Sequence, residues 1–195
     1  MLKKGAMFGL DARIALAILG ALSVISGAAL YSAIQSAKNT STIAQYEEIS
    51  KAVVHYSLDT GVDLLGRSGA EFELTTKHLF STDGSANWKG PYISGDSTTD
   101  YYFKLQNNGA SYFIYKCDNT FGNQFSKPSC DTCTNKEDCG VWIKSNFLGS
   151  VAQVEDLDEL IDGSDGYDKG KFRVLWADAT PTDNLRTYYY IKPSF

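Results

Sequence analysis

The chain is short of histidine, proline and clustered positive charge, and each shortage narrows its chemistry. It has 2 histidines in 195 residues, His55 and His78. Neither has a metal-ligand partner nearby in sequence, so a His-based metal centre has no starting point. Lys and Arg number 18 against 23 Asp and Glu, a formal charge of -5, and no basic patch gathers them. Nucleic acid is therefore not an expected partner, because phosphate neutralisation needs clustered cations. No phosphate-cradling loop and no nucleophile–base pattern occurs, so the chain does not read as an enzyme. Of the 4 prolines, none falls in the long apolar stretch near the N-terminus.

That stretch is the dominant feature. The chain opens Met1-Leu2-Lys3-Lys4-Gly5-Ala6 and continues Met7-Phe8-Gly9-Leu10. Asp11 and Arg13 interrupt the apolar residues, which then run from Ile14 to Ile34 with only Ser, Gly and Tyr among the aliphatics. As a helix this run covers about 30 Å, the thickness of a bilayer core. Lys3 and Lys4 ahead of it place the N-terminus in the cytoplasm and the bulk of the chain outside. A secretory signal peptide could be cut near Ser26-Gly27-Ala28-Ala29, but the helical pattern continues past that point unbroken. An unprocessed membrane anchor is the other rival. Gly20 and Gly27, with Ala21, Ala28 and Ala29, suit close helix packing in lipid better than local melting.

Polar residues take over from Gln35 to Thr42, and Tyr46, Ile49, Val53 and Tyr56 then recur at intervals of three and four. That spacing predicts one apolar face of an amphipathic helix, stopped at Gly61 after Asp59-Thr60. A single helix from Met7 to Thr60 would reach about 80 Å. About 135 residues lie beyond that helix, enough for one compact domain. Its strands are predicted at Tyr101–Leu105, Ser111–Lys116, Lys171–Trp176 and Arg186–Ile191, with a short helix at Val151–Ile161. The 12 tyrosines suit strands; Tyr188-Tyr189-Tyr190 read as strand residues divided between core and surface rather than as a carbohydrate-binding surface.

Cys117, Cys130, Cys133 and Cys139 fall in one loop before Val141-Trp142-Ile143. Four thiolates with one C-x-x-C could hold zinc, but an exported loop sits in an oxidising compartment and favours two disulfides. Three connectivities are open; the preferred one encloses the loop with Cys117–Cys139 and places Cys130–Cys133 inside it. An acidic run follows, comprising Asp156, Asp158, Asp162, Ser164, Asp165 and Asp168. Asp162, Ser164, Asp165 and Asp168 offer oxygens that suit calcium, although the EF-hand register fails.

Two features resemble the type IV pilins and type II secretion pseudopilins. The first is the leader. In that family a prepilin peptidase cuts after a short basic leader, the new first residue is hydrophobic, and the fifth is acidic. A cut between Ala6 and Met7 makes Met7 first and Asp11 fifth. Ala stands where Gly is usual before the cut, and Asp where Glu is usual. The second is Trp88-Lys89-Gly90-Pro91-Tyr92-Ile93, similar to the family's W-x-G-P-Y-(L/I) signature. The resemblance covers residues 3–61 and 88–93, and elsewhere only the general layout.

The resemblance implies an α+β type IV pilin fold: a long N-terminal helix, transmembrane in its first half, packed on an antiparallel β-sheet head that carries a disulfide-bonded loop. The expected divisions are a leader at 1–6, the helix at 7–61 with its span at about 14–34, and the head at 62–195. The implied function is a structural subunit of a pilus or secretion pseudopilus. Its partners would be copies of itself or other pilins, the prepilin peptidase, and the inner membrane before assembly. Asp11 would pair with the free N-terminus of a neighbouring subunit. The head would be periplasmic, then periplasmic or extracellular in the filament. Some pseudopilins bind calcium in the head; in many pilin-like proteins a segment similar to Leu160–Arg173 is only a helix-to-strand turn. A membrane-anchored exported binding protein that does not polymerise is the alternative.

Overall fold

The structure, a computed structural model, describes residues 5–95, 97, 99–105, 110–119, 121, 130, 133, 138–147, 150–163, 165–176 and 185–194. The chain forms two compact units, Met1–Ser41 and Thr42–Phe195. The boundary falls inside the first helix, α1 (Gly5–Thr60), because the residues of α1 from Tyr46 onward belong to the second unit's core.

Within the first unit α1 is apolar and exposed. Ile14, Leu16, Ile18, Leu19, Leu22, Val24, Ile25, Leu30 and Tyr31 all present more than half their surface. This is the one helix, among the described residues, long and apolar enough to cross a membrane. Two of its hydroxyls turn inward onto its own backbone: Ser23 Oγ donates to the Leu19 carbonyl at 2.8 Å and Thr40 Oγ1 to the Ser36 carbonyl at 2.9 Å. Such internal pairing is what a helix needs where no water is available.

The second unit begins with the rest of α1. Tyr46, Ile49, Val53 and Tyr56 are almost completely buried, as their spacing predicts, and Ala52 joins them. The helix ends where Gly61 takes a φ of +77° and its N–H bonds the Ser57 carbonyl at 2.9 Å; a left-handed residue there is cheap only for glycine. The sheet comprises β1 (Gly66–Arg67), β2 (Ala70–Leu74), β3 (Tyr102–Lys104), β4 (Ser111–Asp118), β5 (Cys139–Phe147), β6 (Phe172–Trp176) and β7 (Leu185–Pro193). All pairings are antiparallel, in the order β1-β2-β4-β5-β7-β6, with β3 also on β4. A helix α2 (Val151–Asp162) links β5 to β6.

Both faces of the sheet are covered, because alternate residues feed two clusters. One face supplies Tyr112, Ile114, Val141, Ile143, Phe172, Val174 and Leu185 to the core shared with α1 and α2. The opposite face supplies Tyr115, Cys117, Trp142, Leu175 and Tyr188, with Phe121 packed on them. Phe121 lies 4.7 Å from Trp142 and 5.0 Å from Tyr188, centroid to centroid. The consecutive tyrosines divide accordingly. Tyr189 stacks on Tyr46 at 5.1 Å, while Tyr188 and Tyr190 face the other cluster. Two elements were not anticipated. The β1–β2 hairpin is too short to leave a periodic signal, and β5 is readable in the sequence only at Val141-Trp142-Ile143.

Candidate functional site

The described residues include every predicted site residue except Ser164. Ala6 and Met7 lie within α1. The leader residues Met1 to Lys4 lie outside the described residues. Asp11 is on α1 and exposed, and among the described residues it makes no ion pair. Arg13, two residues on, cannot serve, because residues two apart point to different sides of a helix. Among the described residues Asp11 thus stands unneutralised, at the edge of an apolar surface. That arrangement is costly in lipid unless a cation from elsewhere meets the carboxylate.

The segment Trp88–Ile93 locks the loop after the 3₁₀ turn Thr76–Leu79 against the end of α1. Trp88 Nε1 donates to the His78 carbonyl at 2.9 Å, and the Tyr92 N–H to the Leu79 carbonyl at 2.8 Å. Tyr92 meets both Trp88 and Tyr56 edge-on, each with 5.7 Å between centroids. The Tyr92 hydroxyl accepts the Lys89 N–H at 3.0 Å, and Lys89 Nζ reaches Asp59 at 3.3 Å. Between the two rings there is room only for glycine: a Cβ on Gly90 would lie 2.5 Å from the Trp88 ring and 2.9 Å from Tyr92. Nearby the Tyr56 hydroxyl donates to Asp83 Oδ2 at 2.7 Å. That bond holds the Asp83 carboxyl below its usual range, while burial first, and then Asp83, pushes the Tyr56 phenol up. This segment therefore does structural work in the described fold.

The four cysteines form two disulfides, but not in the enclosing arrangement preferred from the sequence. The bridges are Cys117–Cys130 and Cys133–Cys139. The β4–β5 register explains the correction. Cys117 lies opposite Gly140, and Cys139 opposite Asp118. Directly opposed residues share a face and successive ones alternate, so Cys117 and Cys139 project to opposite faces and cannot meet. With all four paired, no thiolate remains for zinc. Arg173 fastens the start of the loop: its Nη1 donates to the carbonyls of Asn119, at 2.8 Å, and Phe121, and its guanidinium lies 4.9 Å from the Trp142 ring centre.

The acidic run divides at the end of α2, where Gly163 caps the helix. Asp158 and Asp162 are four residues apart on one side of α2, and Asp165 comes back over them from the turn. Their ligand oxygens all lie within 4.8 Å of one another. Asp158, which the sequence reading left without a ligand role, is the buried member, at 4% exposure. Burial first, then the Asp165 carboxylate, pushes its carboxyl up; a hydrogen bond from the Gly166 N–H opposes this. Asp162 Oδ2 also accepts the Phe172 N–H at 2.6 Å, tying the turn to β6. Asp168 is exposed and outside this group, and Ser164 lies outside the described residues. The segment is at the same time the connection from α2 to β6. Position in the linear run could not single out Asp158; the signal available was its spacing of four from Asp162.

Comparison with known proteins found no matching family model, curated protein or solved structure.

Proposed function

We propose that this chain is a structural subunit of a type IV pilus or type II secretion pseudopilus, assembling through α1 after peptidase cleavage between Ala6 and Met7. The observation that carries the reading is Asp11: a carboxylate with no ion-pair partner among the described residues, at the head of a long, exposed apolar helix. In a membrane such a charge costs several kcal/mol. A free α-amino group on the first residue of a neighbouring copy, created by cleavage before Met7, neutralises it and sets the axial register of the filament. Helix packing through Gly9, Gly20 and Gly27 supports the same reading: a Cβ at each would meet nothing within 4 Å, so these positions are open to a second helix. Before assembly α1 holds the protein in the inner membrane as a single span, with the head on the periplasmic side.

The test is filament assembly by Asp11→Ala, with membrane insertion measured in parallel. Lost assembly with normal insertion supports the proposal. Undiminished assembly overturns it and leaves a membrane-anchored exported binding protein. Mass spectrometry of the mature protein should find Met7 at its N-terminus.

A further inference from the structure

We propose that the face of the sheet opposite α1 carries a docking surface for an acidic peptide segment of a protein partner, with a partner carboxylate received between Lys144 and Arg186. The strand register places the parts. Tyr102, Phe113, Lys144 and Tyr188 lie opposite one another across β3, β4, β5 and β7, so they share this face. Arg186, two residues before Tyr188, is on the same face and diagonal to Lys144. Phe121 covers Tyr188, but Tyr102 and Phe113 are only half-buried and Arg186 is exposed. The rings run on as a strip: centroids lie 5.4 Å apart for Tyr101 and Tyr102, 5.5 Å for Tyr102 and Phe113, and 6.1 Å for Phe113 and Tyr115.

The independent sign of a missing partner is Lys144. Its Nζ lies 4.4 Å from the Phe113 ring centre and 5.1 Å from that of Tyr115, and it donates to the Tyr115 hydroxyl at 3.4 Å. Among the described residues no carboxylate pairs with Lys144 or with Arg186. Glu73, opposite Tyr115, is already engaged by Arg67 and by the Tyr115 hydroxyl, each at 2.8 Å. Burial first, and then Arg186, hold the Lys144 ammonium below its usual range, against a smaller opposing pull from Glu73. Two like charges thus stand together beside apolar rings, in a chain whose formal charge is -5. A carboxylate entering between them offsets both the repulsion and the desolvation. The composition selects the occupant. Half-buried tyrosines beside arginine and lysine are the anchors that protein interfaces use. A small free anion takes a concave site rather than a sheet face. Nucleic acid needs a longer track of cations, and the net negative charge of the chain opposes it. The surface does not depend on filament assembly or on cleavage before Met7.

The experiment uses the full chain in non-ionic detergent micelles. The probe is a short fluorescein-labelled peptide alternating Glu and Tyr; a labelled twin alternating Gln and Tyr, and empty micelles, are the blanks. Fluorescence anisotropy reads binding. The expected result is saturable binding of the Glu–Tyr peptide that weakens as salt is raised, and none of the twin. Lys144→Met should weaken binding roughly tenfold or more. Its unfolding temperature should be no lower than that of the parent, because the charge it removes is half-buried without a carboxylate; a lysine with only a structural role would lose stability instead. Arg186→Gln, at an exposed position, should weaken binding and flatten its salt dependence. Lys51→Gln, exposed on α1 across the sheet, should bind like the parent. If Lys144→Met fails to fold, Arg186→Gln still decides. Absence of saturable binding in the parent, or equal binding of the Gln–Tyr twin, overturns the proposal. So does binding that Arg186→Gln leaves unchanged. Binding of oligothymidylate as tight as that of the peptide also overturns it, and gives the face to nucleic acid.

Discussion

Replacing Tyr46 by Phe removes one oxygen from the centre of the second unit, and the consequence can be worked out from hydroxyl bookkeeping. The Tyr46 hydroxyl lies 3.0 Å from Ser145 Oγ and 2.8 Å from Thr187 Oγ1, and those two lie 2.6 Å apart. All three residues are buried. Three hydroxyl protons thus close a ring of three hydrogen bonds, each group donating once and accepting once, which joins α1 to β5 and β7. Tyr46→Phe keeps the ring stacked on Tyr189 at 5.1 Å but removes two of the three bonds and strands one buried donor. At a net 0.5–1.5 kcal/mol per bond the loss is about 1–3 kcal/mol. For a unit of this size, a loss of about 2 kcal/mol lowers the unfolding temperature by about 4–8 °C. The sharper test is non-additivity. With Tyr46→Phe, Ser145→Ala and Thr187→Val combined, no polar atom of the triangle remains, so the triple variant should be no less stable than Tyr46→Phe alone. Thermal unfolding of the purified chain in detergent, monitored by near-ultraviolet circular dichroism, measures both. A Tyr46→Phe cost below about 0.5 kcal/mol, or triple-variant losses that simply add, would refute the closed-ring account.

Two further outcomes follow from the same fold. The bridges close segments of 13 and 6 residues, so removing Cys117–Cys130 by paired Ala substitutions should cost about 3 kcal/mol, and removing Cys133–Cys139 about 2 kcal/mol; non-reducing peptide mapping should link Cys117 to Cys130, and a Cys117–Cys139 peptide would contradict the strand register. Stability should fall at both ends of the pH scale. Asp83 titrates below its ordinary 3.8 because Tyr56 bonds its carboxylate, so its contribution is complete above that pH and is lost as the pH drops through the folded value; Asp83→Asn should flatten that acid limb. The Tyr188 phenol is pushed up to about 12 by burial, and Tyr46, Tyr56 and Tyr115 are also raised. Above the ordinary phenol value of 10.0 the unfolded chain therefore gives up protons that the folded chain retains, and stability falls. A flat profile from neutral pH to beyond that point would sink this assignment.

The sequence by itself determined the features that depend on local periodicity. The apolar run from Ile14 to Ile34 specifies an exposed hydrophobic helix. The three- and four-residue spacing of Tyr46, Ile49, Val53 and Tyr56 specifies which side of its continuation is buried, and Gly61 where it stops. The strands Phe172–Trp176 and Leu185–Pro193 and the helix Val151–Asp162 fall within a residue or two of their predicted bounds, because β-branched and aromatic clustering and helical spacing are local properties. Only the tertiary structure decided what depends on register. A single-residue offset between β4 and β5 sends Cys117 and Cys139 to opposite faces and dictates the disulfide pairing. The facing of β5 and β7 brings Ser145 to Thr187, and the helix adds Tyr46 from 99 residues away in the chain. The turn after α2 returns Asp165 to Asp158, a residue that looks like any other member of an acidic run until its burial shows that one of its oxygens has no partner. Spacing along a chain fixes which residues share a face of one element; which faces meet is settled by packing between elements, and that is where the three-carboxylate cluster arises.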